Sequence, residues 1–178
     1  MTFEETPIVG TFVIRPERVA DNRGFFARTY SHEEFRRRGL DPVFVLQGLS
    51  HNDTRGTLRG MHLQLPPHDE NKLVACSQGA IYDVVLDLRP QSPSYRRWYA
   101  ANLTARGLES LYIPKGCAHG FITLEDDTLV HYDISAPHAP ELARGYRYDD
   151  PAFQIAWPMA PVVISDRDLA YPPFAAGS

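Results

Sequence analysis

Apolar and polar positions alternate in short runs along this chain, and most runs are closed by a glycine, a proline or a polar pair. Ile8–Pro16, Phe25–Tyr30, Val43–Leu46, Thr57–Leu65, Lys72–Cys76, Ala80–Leu86, Trp98–Leu103, Leu108–Ile113, Gly120–Thr123 and Leu129–Ile134 each read as a strand rich in β-branched and aromatic residues. Turn-forming segments separate them, among them Asp21-Asn22-Arg23-Gly24, Ser77-Gln78-Gly79 and Glu125-Asp126-Asp127, and Ser50–Arg55 reads as a polar loop. The pattern predicts one helix, His32–Arg38: Ser31 followed by Glu34 forms a capping box, and Gly39 supplies the stop. Strands at this spacing, without alternating helices, predict an all-β sandwich or barrel rather than a parallel α/β sheet. After Pro140 the periodicity weakens, yet Phe153, Ile155, Trp157, Val162, Val163 and Ile164 keep the segment apolar enough to pack over the barrel.

At 178 residues the chain has the length of one domain with its own core. A formal charge of −4 gives no basic field of the kind nucleic acid needs, so an anionic ligand would depend on local arginines. No run approaches the length of a membrane span, and Met1-Thr2-Phe3-Glu4-Glu5 lacks the basic-then-apolar layout of a signal peptide, so a cytoplasmic protein is expected. Cys76 and Cys117 lie far apart and read as free thiols.

The stretch from Gly56 to Leu73 concentrates the chemistry. On a strand Arg59, Met61 and Leu63 face one way while Leu58, His62 and Gln64 face the other. A glycine inside a strand marks a bulge or a close backbone approach, and an extra residue at Gly60 would bring Arg59 and His62 to one side, with Lys72 close by. A single strand histidine is commonly a half-buried structural residue, so further segments must decide. One of these is Ile113–Phe121, where P-x-G-x-x-H turns His119 onto a following strand.

Taken together, Gly56–Gly79 and Ile113–Phe121 resemble the two signature motifs of the cupin superfamily, which implies a jelly-roll barrel, a double-stranded β-helix, with short flanking helices. The positions that hold metal ligands in metal-binding cupins carry His62, Gln64, Lys72 and His119 here. An ammonium in place of the carboxylate opposes a divalent cation, so no metal is expected.

The resemblance narrows over nearly the whole chain. Asp21-x-Arg23-Gly24-Phe25-Phe26, Leu58-Arg59-Gly60-x-His62-x-Gln64, Lys72-Leu73-Val74, Asp83-Val84, Asp87-Leu88-Arg89, Ser92-Pro93, Ile113-Pro114-x-Gly116-x-Ala118-His119-Gly120-Phe121, Tyr132, Asp150-Pro151, Trp157-Pro158 and Ser165-x-x-Asp168 occur in that order. The series is similar to that of the dTDP-4-dehydrorhamnose 3,5-epimerase family. The resemblance implies a cofactor-independent enzyme that inverts C3 and C5 of a nucleotide-linked 4-keto-6-deoxyhexose through an enolate.

By that resemblance His62 is the base, Asp168 orients it and Tyr132 is the acid on the opposite face. Lys72 stabilises the enolate oxygen beside His119, and Asp83 belongs to the polar network around His62. Arg59 and Arg23 hold the diphosphate, as forked guanidinium groups suit paired anionic oxygens, and Arg167 adds a contact. Homodimers are implied, with residues 1–30 lent to the partner, so Arg23 and Arg28 would act across the interface.

Three departures stand out, the first two at the nucleotide end and the third among the sugar-hydroxyl contacts. Arg28 stands where the family commonly has Glu, Pro137 and His138 stand where it has a pair of tyrosines, and Gln47 is followed by Gly48 in place of the family's spacing. Gln47 either makes the family's contact or is turned to the other face by one residue. Four alternatives stay open: action at C3 alone, a CDP- or GDP-linked sugar, a 3,4-ketoisomerase that moves the carbonyl, and a cupin that binds a sugar nucleotide without turning it over.

Overall fold

Two antiparallel sheets face each other in a computed structural model that describes residues 1–174. Residues 175–178 close the C-terminal segment expected to cover the barrel and lie outside the described residues. One sheet has the order β1-β2-β10-β7-β12-β5, built from β1 (Thr2–Glu5), β2 (Phe12–Arg15), β5 (Leu46–Asn52), β7 (Lys72–Gln78), β10 (Ser110–Ile113) and β12 (Thr128–Ile134). The other runs β13-β6-β11-β8-β9, from β6 (Thr57–Gln64), β8 (Ala80–Asp87), β9 (Trp98–Thr104), β11 (Cys117–Thr123) and β13 (Ala143–Gly145); β14 (Val163–Ile164) pairs with β6 in parallel. The fold is the expected all-β jelly roll. A separate hairpin, β3 (Arg18–Asp21) with β4 (Gly24–Ala27), projects with Val19, Phe25 and Phe26 exposed.

Alternation along the strands fills one part of the space between the sheets with Val13, Val74, Cys76, Ile81, Val85, Leu103, Leu111, Phe121 and Val130. β8 is buried on both faces: Ile81 and Val85 point inward while Val84 and Leu86 point outward beneath the C-terminal segment. Its apolar run, interrupted at Asp83, follows from that double burial. Phe153 is fully covered in the outer cluster, and Tyr146, Ile155, Trp157 and Phe174 pack around it. Helix α1 (His32–Arg37) buries Phe35 against Ile14, Leu73 and Tyr112 on the opposite outer face, with Ser31 Oγ accepting from the Glu34 amide.

Several boundaries differ from expectation. Ile8–Pro16 is a turn, with Gly10 at φ +81°, followed by the short β2; the chain before it adds β1, which carried no strand signal. Val43–Val45 precede β5 as irregular chain, and the polar run Ser50–Asn52 is strand because β12 supplies its partners.

Remote from the barrel mouth, Asp87 anchors the turn after β8, accepting from Arg89, Ser92 and Ser94. Burial alone would raise this carboxyl, but those donors hold it down at about 2 against an ordinary 3.8. A carboxyl depressed in the folded state contributes stability above its unfolded value and loses it as pH falls toward the folded one, so this contribution fades between about pH 4 and 2. Asp87→Asn should lower stability at pH 7 by about 2 kcal/mol and flatten the acid limb in that window, as measured by urea titrations across pH.

Candidate active site

Between the apolar core and the C-terminal segment lies an open cavity of about 680 Å³. One sheet contributes Arg59, His62 and Gln64 from β6 and His119 and Phe121 from β11; the facing sheet contributes Lys72 from β7, Tyr132 and Ile134 from β12, and Leu46 and Ser50 from β5. His62 and Tyr132 therefore stand on opposing walls of one cavity.

Arg59 and His62 share that wall because of Gly60. Against β11, His62 pairs with His119 and Arg59 with Phe121, so β6 spends one residue more than its partner: a bulge, with Gly60 at φ +136°. The two backbones approach so closely there that a Cβ on Gly60 would lie 2.5 Å from Gly120 Cα. Both glycines are needed for that approach.

Asp168 reaches His62 by a simple route. β14 runs parallel to β6 beside Thr57 and Leu58, so the residues that follow advance along β6 toward His62. They form the single turn α2 (Asp166–Leu169), capped by Ser165 Oγ, which accepts from the Asp168 amide at 3.1 Å. Asp168 Oδ1 is 2.7 Å from His62 Nε2, and its Oδ2 accepts from Gly60 N at 3.1 Å. Burial would raise the Asp168 carboxyl; the hydrogen bond and charge of His62, with the Gly60 and Ser165 contacts, hold it below its ordinary value. A carboxylate only accepts, so the dyad places the imidazole proton on Nε2 and leaves the Nδ1 lone pair free.

His119 has its own carboxylate. Asp83, fully buried on the neighbouring β8, lies 2.6 Å from His119 Nε2. This corrects the placement of Asp83 around His62: β11 separates β8 from β6, and the aspartate bonds the nearer histidine. The His119 ring meets Tyr132 edge-on, centroids 5.9 Å apart. Desolvation and the charge of Asp83 push the Tyr132 phenol above its ordinary value, with Arg59 opposing. Tyr132 thus keeps its proton at neutral pH.

Lys72 is buried, 3.0 Å from Glu70 Oε1, and donates to the His62 carbonyl at 3.3 Å. Gln64 spends its amide on the chain: Nε2 donates to the His68 and Pro137 carbonyls and Oε1 accepts from Ala139 N. These four positions do not fit a divalent cation, since both histidines give Nε2 to aspartates, Gln64 is saturated and Lys72 is cationic. Among the described residues, the one cluster of three potential ligands is His51, Asp53 and Asp127, exposed and outside the cavity lining.

Arg59 Nε donates to Asn52 Oδ1 at 2.8 Å, which fixes the guanidinium at the wall, and His138 and Arg167 stand at the exposed rim. Three expected residues are elsewhere. Gln47 faces outward and donates to Asp133 Oδ1 at 2.6 Å, because inward positions on β5 fall to Leu46, Gly48 and Ser50. Arg23, paired with Asp21 at the tip of the β3–β4 hairpin, and Arg28, beside Glu17 and Glu34 at its base, do not line the cavity of their own chain. Glu70, Asn52 and Arg144 were not anticipated. Glu70 had a signal, lying two positions before Lys72; Arg144 sits on a three-residue strand with no periodicity to announce it.

Comparison with known proteins matches residues 5–176 to the family model for dTDP-4-dehydrorhamnose 3,5-epimerase. A dTDP-4-dehydrorhamnose 3,5-epimerase of Sinorhizobium fredii is 39% identical over 173 residues, covering 97% of this chain and 89% of the relative. The Legionella pneumophila dTDP-6-deoxy-D-glucose-3,5-epimerase, solved with dTDP-4-keto-L-rhamnose, superposes with a TM-score of 0.89 at 31% identity, covering 96% of this chain and 90% of that one. A 3'-monoepimerase from Streptomyces bikiniensis, solved with dTDP-quinovose, gives 0.87 at 32% identity, covering 94% of this chain and 85% of that one. With its family model matched almost end to end and the sheets superposing on enzymes of this kind, the chain belongs to the dTDP-4-dehydrorhamnose 3,5-epimerase family.

Proposed function

We propose that this protein inverts C3 and C5 of a dTDP-linked 4-keto-6-deoxyhexose, on the route to an L-rhamnose-type sugar. The observation that carries the reading is the His62–Asp168 dyad facing Tyr132 across one cavity. The C4 carbonyl acidifies the adjacent C–H bonds. His62 Nδ1 takes the proton, and the C–H electrons move through the new C=C bond onto the carbonyl oxygen, where Lys72 donates a hydrogen bond. Tyr132 delivers its phenolic proton to the opposite face as the electrons return to carbon and the carbonyl re-forms. One hydrogen leaves and one arrives, and the imidazolium and phenolate are reset by exchange with solvent. No redox step is involved.

Arg59 and Arg167 are proposed to hold the diphosphate at the rim. The exposed apolar side chains of the β3–β4 hairpin support a homodimer in which the partner brings Arg23 and Arg28 to this cavity. Light scattering should then give twice the chain mass, and a monomer at micromolar concentration would remove this part of the reading.

Calorimetry with dTDP, CDP and GDP tests the nucleotide, with dTDP expected to bind most tightly; preference for either of the others would redirect the assignment. Product NMR with dTDP-4-keto-6-deoxy-D-glucose separates inversion at both centres from inversion at C3 alone and from carbonyl migration.

Asp168→Asn should leave nucleotide affinity unchanged while lowering kcat by roughly 10²- to 10⁴-fold, since the amide neither fixes the Nε2 tautomer nor stabilises the imidazolium. Steady-state kinetics beside dTDP calorimetry measure the split, and a drop in affinity without a drop in kcat would assign Asp168 to binding.

A further inference from the structure

We infer that Glu70 is a positioning residue for the epimerisation, fixing the Lys72 ammonium so that one N–H is aimed at the enolate oxygen. The inference rests on Lys72 being the enolate's donor, as proposed above.

Lys72 Nζ has three donors. Nζ is ion-paired with Glu70 Oε1 at 3.0 Å and donates one N–H to the His62 carbonyl at 3.3 Å, which leaves N–H capacity for the cavity that Lys72 lines. Without Glu70 the ammonium would sit at the end of a flexible four-carbon stem with one remaining tether. Glu70 is itself well placed to restrain it. The next residue, Asn71, bolts the loop down: its amide N donates to Ser135 Oγ at 2.8 Å, its Nδ2 donates to Asp41 at 3.1 Å, and its Oδ1 and backbone carbonyl accept from the Lys115 and Ser135 amides. The acceptor and the ammonium therefore belong to one rigid corner at the entry to β7.

The two side chains are only 6% and 11% exposed, so the pair is held away from bulk solvent. One carboxylate oxygen faces the ammonium in the wall of the reaction cavity. The pair also has no net charge, so the cavity stabilises the enolate through a directed hydrogen bond more than through an uncompensated cation.

The test is a kinetic cycle on the full-length protein with dTDP-4-keto-6-deoxy-D-glucose: Glu70→Gln, Glu70→Ala, Lys72→Met, and Glu70→Ala with Lys72→Met, each with dTDP calorimetry. Glu70→Ala should lower kcat about tenfold or more while leaving dTDP affinity within about twofold. Glu70→Gln should stay within about threefold of the unmutated kcat, since its amide oxygen can replace Oε1. On the Lys72→Met background, Glu70→Ala should cost nothing further. An unchanged kcat in Glu70→Ala, or a loss that adds in full to that of Lys72→Met, would overturn the inference. Should Glu70→Ala not fold, Glu70→Asp takes its place in the cycle, withdrawing the carboxylate by one methylene with the same expectations. An unmutated protein that turns over no ketosugar refutes the epimerase reading itself; turnover that is insensitive to Glu70 refutes only its positioning role.

Discussion

His62→Asn should abolish both isotope exchange and inversion while leaving the fold and dTDP binding intact. The imidazole lies on the exposed side of its dyad, and the bonds that set the local backbone, from Gly60 N to Asp168 and from Lys72 to the His62 carbonyl, do not use its ring. The amide keeps polarity and reaches toward Asp168 but has no basic lone pair. General-base removal of this kind typically costs roughly 10²- to 10⁴-fold, a barrier increase of about 3 to 5 kcal/mol. Proton NMR in D2O measures exchange and product together. Residual exchange at the unmutated rate would assign the base to another group, and His119 would be the first to examine, since it pairs with His62 across the β6–β11 ladder.

Tyr132→Phe should separate two events that are joined in the unmutated enzyme. Phenylalanine keeps the ring and its edge contact with His119 and removes only the hydroxyl. The base then still removes and returns a proton on its own face, so deuterium enters C3 with retention of configuration while inverted product falls by roughly 10²- to 10⁴-fold. A ring of purely structural value would leave the ratio of exchange to inversion unchanged. Because the phenol is held well above its ordinary pKa by burial and by Asp83, its loss of the proton should not limit activity at or below neutral pH.

Much of this site could be read in the chain because it depends on local rules. A glycine inside a strand pattern announced the bulge that turns Arg59 and His62 to one wall, and the proline-glycine turn before His119 announced the strand that carries it. Other features depend on pairing at a distance. The resemblance put Asp83 in the polar network around His62, whereas strand order gives it to His119. Gln47 was ambiguous by one residue for the same reason, since register on β5 is set by β12.

The polar end of β5 looked like loop because hydrophobic patterning reports burial, and this edge strand has a solvent-facing side. Val43 and Val45 misled in the opposite direction, being apolar, exposed and outside the strand. Asp168 was legible only as a motif position. The two-residue strand and single helical turn that deliver it are too short for any periodicity.

Solvent deuterium entry into dTDP-4-keto-6-deoxy-D-glucose, followed by NMR with the unmutated protein in D2O, tests the two-walled proton exchange most directly. One solvent deuterium is expected at each inverted carbon, C3 and C5, and none elsewhere on the ring. Inverted product that retains its original hydrogen at those carbons, or no exchange at either, would contradict it.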